Sequence, residues 1–142
     1  MTLNQFIRYV KRVIREYKKL QREFRVIDTE RHETGEDYEH WVAAKLREKG
    51  WNAKVTPARG DNGIDIIAKK NGKVAGIQCK RYKANVSNKA VQEILSAQAF
   101  YNLDILAVVT TVGYTPAAKE LATRTGVKLL LDSQLYRLDI SF

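Results

Sequence analysis

Apolar residues recur at helical spacing from the start of the chain. Leu3, Val10, Tyr17 and Phe24 stand seven apart, with Phe6, Val13 and Leu20 interleaved at the same period. This a/d heptad arrangement over about three heptads predicts one amphipathic helix through the first 25 residues. Its apolar stripe needs a cover: a second copy of the helix in a dimer, the body of its own domain, or a membrane surface. Residues 26–37 are polar and charged, and predict a linker or a helix break around Gly35. Tyr38, Trp41, Val42, Ala43 and Leu46 then form a second stripe. They predict a helix from residue 37 or 38 to Lys49, ending at Gly50, a good residue just past a helix end. Glu39 lies one turn before Val42 and Ala43, toward the inward side. A carboxylate there needs a partner or a metal, or it sits at the stripe's edge in the first turn, where the helix dipole favours it.

The period changes to two further on. Residues 53–57 predict a short strand ending at Pro57, and Arg59 to Gly63 a loop. The runs Ile64–Ala68 and Val74–Lys80 flank Asn71-Gly72, the strongest short-range signal for a hairpin, because both central residues of a type I′ turn need positive φ. With those two residues as the loop, Lys70 faces Lys73, Ile66 pairs with Ile77, and Asp65 with Gln78. Opposed side chains share a face at about 4.5–5.5 Å between Cβ atoms. Lys80 lies two residues beyond Gln78, hence on the same face, opposite Gly63, which has no side chain to obstruct it. A carboxylate, an amide oxygen and an ammonium converge in this register. A loop with an odd number of residues would send Asp65 to the other side.

Beyond the hairpin, Ser87 or Asn88 caps a helix to about Tyr101, with Val91, Ile94, Leu95 and Ala99 inward. Ile105–Thr111 is a continuous apolar run of the kind buried on both faces of a sheet. Thr115-Pro116 opens another helix that closes near Gly126, and Val127–Leu131 is a further buried strand. The order α, α, β-hairpin, α, β, α, β predicts an α/β fold, a mixed central sheet flanked by helices, with an extra N-terminal amphipathic helix. Two segments follow: a basic helix over 1–27 for dimerisation, packing or DNA contact, and a domain over 36–142.

Charge sharpens this organisation. The net charge is +9, and residues 1–25 hold eight basic side chains against Glu16 and Glu23, a net of +6 that leaves +3 for the rest. Such a balance favours nucleic acid or an anionic membrane as partner, or it is a solvated helix face. One cysteine excludes an internal disulfide framework, and two histidines show no zinc spacing. These features point to a reduced, cytoplasmic setting. No stretch approaches the roughly 20 apolar residues that span a bilayer, which makes a membrane an improbable partner.

The hairpin residues suit one chemistry. Metal-assisted phosphodiester hydrolysis needs oxygen ligands, a charge near the phosphate and a way to orient water. Asp65 offers a hard anionic ligand and Gln78 a neutral carbonyl oxygen. Lys80 can polarise water or neutralise phosphate charge. Glu39 can complete the site from the neighbouring helix as a water-mediated ligand. An ordinary hairpin with one wet face also shows polar residues at alternate positions.

The surrounding sequence weighs between these. The runs Gly60-Asp61-Asn62-Gly63-Ile64-Asp65-Ile66-Ile67, Gly76-Ile77-Gln78-Cys79-Lys80-Arg81-Tyr82 and Val108-Val109-Thr110-Thr111, with Tyr114-Thr115 and Ala117-Ala118, closely resemble the Mrr-like catalytic domain. That family belongs to the restriction-endonuclease-like superfamily of PD-(D/E)xK nucleases, and the resemblance covers roughly residues 36–135. It implies a Mg²⁺-dependent DNA endonuclease, with Mn²⁺ able to substitute. Asp65, Gln78 and Lys80 are then the catalytic signature, Glu39 is the acidic residue of the first core helix, and the backbone carbonyl of Cys79 is a further metal ligand. The Cys79 thiol becomes a core filler. The wider superfamily mostly has Glu or Asp at the Gln78 position, whereas Gln is usual in this branch and lowers the site's negative charge. Arg59, Arg81 and Lys83 flank the signature as candidates for phosphate contacts, with Lys11 and Arg15 on the basic helix. Tyr82 is expected to pack, with stacking on DNA as the alternative. The expected partner is DNA and the expected state a homodimer, each subunit cutting one strand in restriction or recombination. The alternatives are a Holliday-junction or branched-DNA resolvase of the same fold and a non-catalytic DNA-binding module.

Overall fold

The computed structural model describes residues 1–30, 35–57 and 63–140, and leaves the side chains of 23–30 undescribed. The chain divides into two units, Met1–His32 and Glu33–Phe142.

The first unit is helix α1, Leu3–Glu30. Thr2 and Gln5 cap it reciprocally: the Gln5 N–H donates to Thr2 Oγ1 at 3.2 Å, and the Thr2 N–H to Gln5 Oε1 at 2.8 Å. Residues 26–30, expected in a linker, continue the helix. The sequence explains why: no glycine or proline intervenes before Gly35, and Ile27 follows Phe24 at helical spacing. The stripe is real and uncovered within this unit. Leu3, Phe6, Val13, Tyr17 and Leu20 are exposed, and so are Ile7 and Ile14, which widen it beyond the a/d seam.

The second unit opens with α2, Gly35–Glu48, which starts two to three residues earlier than its stripe predicts. Glu36 and Asp37 in its first turn and Lys45 and Arg47 in its last complement the helix dipole, and Gly50 follows at φ 91°. The strands are β1 (Asn52–Val55), β2 (Ile66–Lys70), β3 (Lys73–Lys80), β4 (Ile105–Thr110) and β5 (Lys128–Leu131), paired in that order as one sheet. β1, β2 and β3 are antiparallel neighbours, and β3, β4 and β5 parallel ones. Helix α3 (Asn88–Ala97) and helix α4 (Pro116–Thr125) make the two crossovers. The architecture is the restriction-endonuclease-like mixed sheet that the sequence predicts.

The hairpin turn is as expected. Asn71 and Gly72 both take positive φ, 52° and 77°, and Lys70 pairs with Lys73 and Ile66 with Ile77. Two cores lie on opposite faces of the sheet, and alternate residues of β4 enter them, Ala107 and Val109 the one and Leu106 and Val108 the other. Ala75 and Ile77 pack with Tyr38, Val42 and Leu46 of α2 and with Leu135 and Leu138. Val91 and Ile94 of α3, Ala118 of α4 and Val108 fill the other. Leu135 belongs to a terminal 3₁₀ helix, Asp132–Arg137, which the sequence reading missed. No helix among the described residues is long and apolar enough to cross a membrane.

Candidate active site

The end of the hairpin away from its turn is where the polar residues gather. Asp65 is a bend just outside the ladder, held by its backbone: its N–H donates to the Ile77 carbonyl at 2.9 Å, and its carbonyl accepts from the Thr56 N–H at 2.8 Å. This fixes the carboxylate beside β3, where Oδ2 accepts the Cys79 N–H at 2.8 Å. Gln78 is 4% exposed, and its Nε2 donates to Glu93 Oε2, on α3, at 2.7 Å. Lys80 Nζ lies 3.1 Å from that same oxygen. The hydroxyl of Thr110, on the adjacent strand, donates to the Lys80 carbonyl at 2.6 Å and ties down the end of β3.

Glu39, Asp65, Gln78, Lys80 and Glu93 line one open cleft of about 730 Å³, so the structure brings the three residues of the expected signature together with Glu39. Arg81 lines it as well. Lys83 is exposed and is not among the lining residues, Arg59 lies outside the described residues, and Lys11 and Arg15 belong to the other unit. Cys79 lines the cleft while packing against the α2-side core, as a core filler would. Tyr82 departs from expectation. It is 48% exposed at the cleft, just past the end of β3, with Lys80 Nζ 5.6 Å from its ring centre.

Gly63 is required for a different reason from the one the register suggests. At φ 85°, a Cβ there would lie 2.9 Å from the Glu93 carbonyl oxygen, so the glycine makes room for α3 rather than for Lys80.

Glu93 itself is the residue that sequence reasoning missed. A signal existed: Ala90, Glu93 and Ala97 follow at i, i+3 and i+7, and both alanines are buried. Burial alone would raise its carboxyl, but the hydrogen bonds from Gln78 and Lys80 outweigh that and hold it below the usual carboxylate range. In the same way burial would lower the Lys80 ammonium, and Glu93 with Tyr82 raises it instead. Burial, followed by the carboxylates of Asp65 and Glu39, pushes the Cys79 thiol up, which keeps it protonated and inert.

Among the described residues no cluster of three or more acidic, histidine or cysteine side chains forms a metal cage. The fit to a cation rests on a different donor set. Gln78 Oε1 is buried and has no hydrogen-bond partner among the described residues, although it lines a cleft that holds the Asp65 carboxylate. A carbonyl oxygen without a partner among the described residues, on a side chain that shares a cleft with a carboxylate, suits a hard divalent cation.

Comparison with known proteins identifies the family. The Mrr_cat family model, described as restriction endonuclease, matches residues 30–138. No curated protein matches the chain. Among solved structures, "Crystal Structure of Protein of Unknown Function AF1548" superposes with a TM-score of 0.58 at 22% identity, over 72% of this chain and 61% of that one. A second, the MspJI restriction endonuclease in complex with a 27-mer oligonucleotide, gives a TM-score of 0.46 at 18% identity, over 89% of this chain and 29% of that one. The chain thus spans about three fifths of the first structure and under a third of the second. With the family model covering most of the sequence and the Gln-x-Lys hairpin in place, this chain belongs to the Mrr-type restriction endonuclease family.

Proposed function

We propose that this chain is a metal-dependent DNA endonuclease that hydrolyses phosphodiester bonds, with β2, β3, α2 and α3 carrying its active site. The observation that supports this most is the buried Gln78 Oε1, without a hydrogen-bond partner among the described residues, on a side chain that lines the same cleft as Asp65 and Lys80. Asp65, Gln78 Oε1 and the Cys79 backbone carbonyl would hold Mg²⁺, or Mn²⁺ in its place, with Glu39 acting through water. When bound, the cation supplies Lewis-acid chemistry toward the phosphate.

The protein's own groups do the rest. Lys80 presents a cation to the phosphate and stabilises charge that develops in the transition state. The Asp65 carboxylate, anchored by the Cys79 N–H, stays fixed while substrate enters. Arg81 at the cleft and Lys83 beyond it contact backbone phosphates, which positions a duplex without reading its sequence. Lys11 and Arg15 add electrostatic attraction. The heptad stripe of α1 pairs two copies, so that each subunit cuts one strand.

Cleavage of supercoiled plasmid and of a synthetic four-way junction, with Mg²⁺, Mn²⁺ or EDTA, tests this. Cutting that needs metal and is lost in Asp65→Ala is the expected result, and a preference for the junction assigns a branched-DNA resolvase. A second reading has its own observation, the neutral Gln78 and the engagement of Lys80 by Glu93. DNA binding that ignores metal, with no cutting and no effect of Asp65→Ala, favours that non-catalytic module.

A further inference from the structure

The two ends of a glutamine amide are nearly the same size and opposite in chemistry: the oxygen is a ligand for a cation, the NH₂ repels one. A carboxylate at the same place has two equivalent oxygens and needs no orienting. A site that uses Gln78 therefore needs something to decide which end faces the cation.

Glu93 meets that need. Its Oε2 is 2.7 Å from the Gln78 amide nitrogen and 3.1 Å from Lys80 Nζ. A carboxylate paired with an ammonium only accepts hydrogen bonds, so the end of Gln78 that faces it must be NH₂. The opposite end is then the oxygen, and it is this Oε1 that is buried without a hydrogen-bond partner among the described residues, on a side chain that lines the cleft. Oε2 already accepts from both polar residues of the Gln-x-Lys motif, and Glu93 Oε1 lies 3.9 Å from Lys89 Nζ. The carboxylate is thus turned to donors, which is the arrangement of an orienting group. Its position is fixed in turn by the close contact of the Glu93 backbone with Gly63.

We infer that Glu93 is a positioning residue that locks the Gln78 amide with its oxygen toward the metal position. The inference rests on the metal-dependent reading above. The carboxylate acts on the metal through Gln78, and its value depends on position 78 being an amide.

That dependence gives the test: Mn²⁺ affinity in the absence of DNA, by titration calorimetry, for wild type, E93Q, Q78E and Q78E/E93Q. In the wild-type background E93Q frees the amide to turn, and affinity falls by about tenfold, the lower end for loss of an outer-shell partner. In the Q78E background the same change leaves affinity equal or higher, since nothing needs orienting and a repelling charge is gone. Lys89→Ala, which removes only an exposed pairing, leaves affinity unchanged. Equal losses from E93Q in both backgrounds overturn the inference and make Glu93 a direct ligand or a structural residue. No loss in either background overturns it too. Thermal melts of the four proteins identify any variant whose loss is unfolding, and the comparison of E93Q with wild type then rests on the isosteric change alone. The metal-dependent reading fails separately: wild type that binds no Mn²⁺, or an Asp65→Ala protein that binds it undiminished, overturns both.

Discussion

Replacing Gly63 with alanine probes how the loop before β2 and helix α3 fix one another. The residue sits at φ 85°, and an added Cβ would stand 2.9 Å from the Glu93 carbonyl oxygen and 3.3 Å from its carbon. Left-handed backbone costs a non-glycine residue about 1–2 kcal/mol. Relieving the clash means moving a helix backbone, and overpacking of that kind costs about 1–3 kcal/mol more. Gly72 supplies the control, for its φ is 77° and nothing lies within 4 Å of a Cβ built there. Gly72→Ala therefore carries the backbone strain alone. Urea unfolding followed by tryptophan fluorescence reports the right unit, because Trp41 and Trp51 both pack in its core. With a denaturant slope of about 2 kcal/mol/M, the midpoint falls by about 1–2.5 M for Gly63→Ala and about 0.5–1 M for Gly72→Ala. Displacing α3 also carries Glu93 from Gln78, so Mn²⁺ affinity drops in the first variant and holds in the second. Equal midpoint shifts would refute the reasoning, since they would mean that α3 does not press on the loop.

Other expected outcomes follow from single contacts. Lys80→Ala loses plasmid cutting while Mn²⁺ affinity, measured without DNA, persists, because the proposed mechanism assigns the ammonium to phosphate rather than to metal. Tyr114→Phe removes the buried hydroxyl that reaches the Val108 carbonyl at 2.7 Å and the Leu130 carbonyl at 2.6 Å, bridging β4 and β5. Losing a donor to buried acceptors costs about 1–3 kcal/mol, readable as a lower urea midpoint. Val13→Glu places a charge in the heptad seam, and analytical ultracentrifugation tests the proposed dimer: a dimeric wild type whose variant is monomeric is the expected result, and equal masses for the two would count against pairing through α1.

The parts of the fold that could be read from sequence are those whose cause is local. Asn71-Gly72 dictates positive φ at two adjacent residues, and from that turn alone the pairing of Ile66 with Ile77 follows, and with it the face shared by Gln78 and Lys80. Thr115-Pro116 and Gly126 delimit α4 for similarly local reasons, a hydroxyl accepting from the Ala118 N–H at 3.2 Å and a left-handed cap at φ 79°. What escaped depends on contacts between elements. The purpose of Gly63 is set by the Glu93 backbone, 30 residues on, and no local rule shows it. Tyr82 could stack or pack as far as sequence shows, and it stands half-exposed just past the end of β3. Glu93 lay between, since its spacing from Ala90 and Ala97 marks an inward carboxylate much as the spacing of Glu39 does. Its partners, however, appear only when α3 is laid across β3.

The two cores explain how the acidic groups come to surround the hairpin. α2 packs on the face of the sheet reached by Ile77, and brings Glu39 to the cleft; α3 packs on the face reached by Gln78, and brings Glu93. A carboxylate at position 78 would meet that of Glu93 at hydrogen-bonding distance, where Gln78 now donates at 2.7 Å. Two like charges at 4 Å repel by about 4 kcal/mol at an effective dielectric constant of 20. Such a pair would take up a proton or push α3 away, and either response would disturb Lys80, which shares the Glu93 oxygen. The neutral residue in the motif and the carboxylate on the helix are thus a matched pair. The amide avoids the repulsion and gains a fixed orientation, and Lys80 keeps the counter-charge beside which it is held.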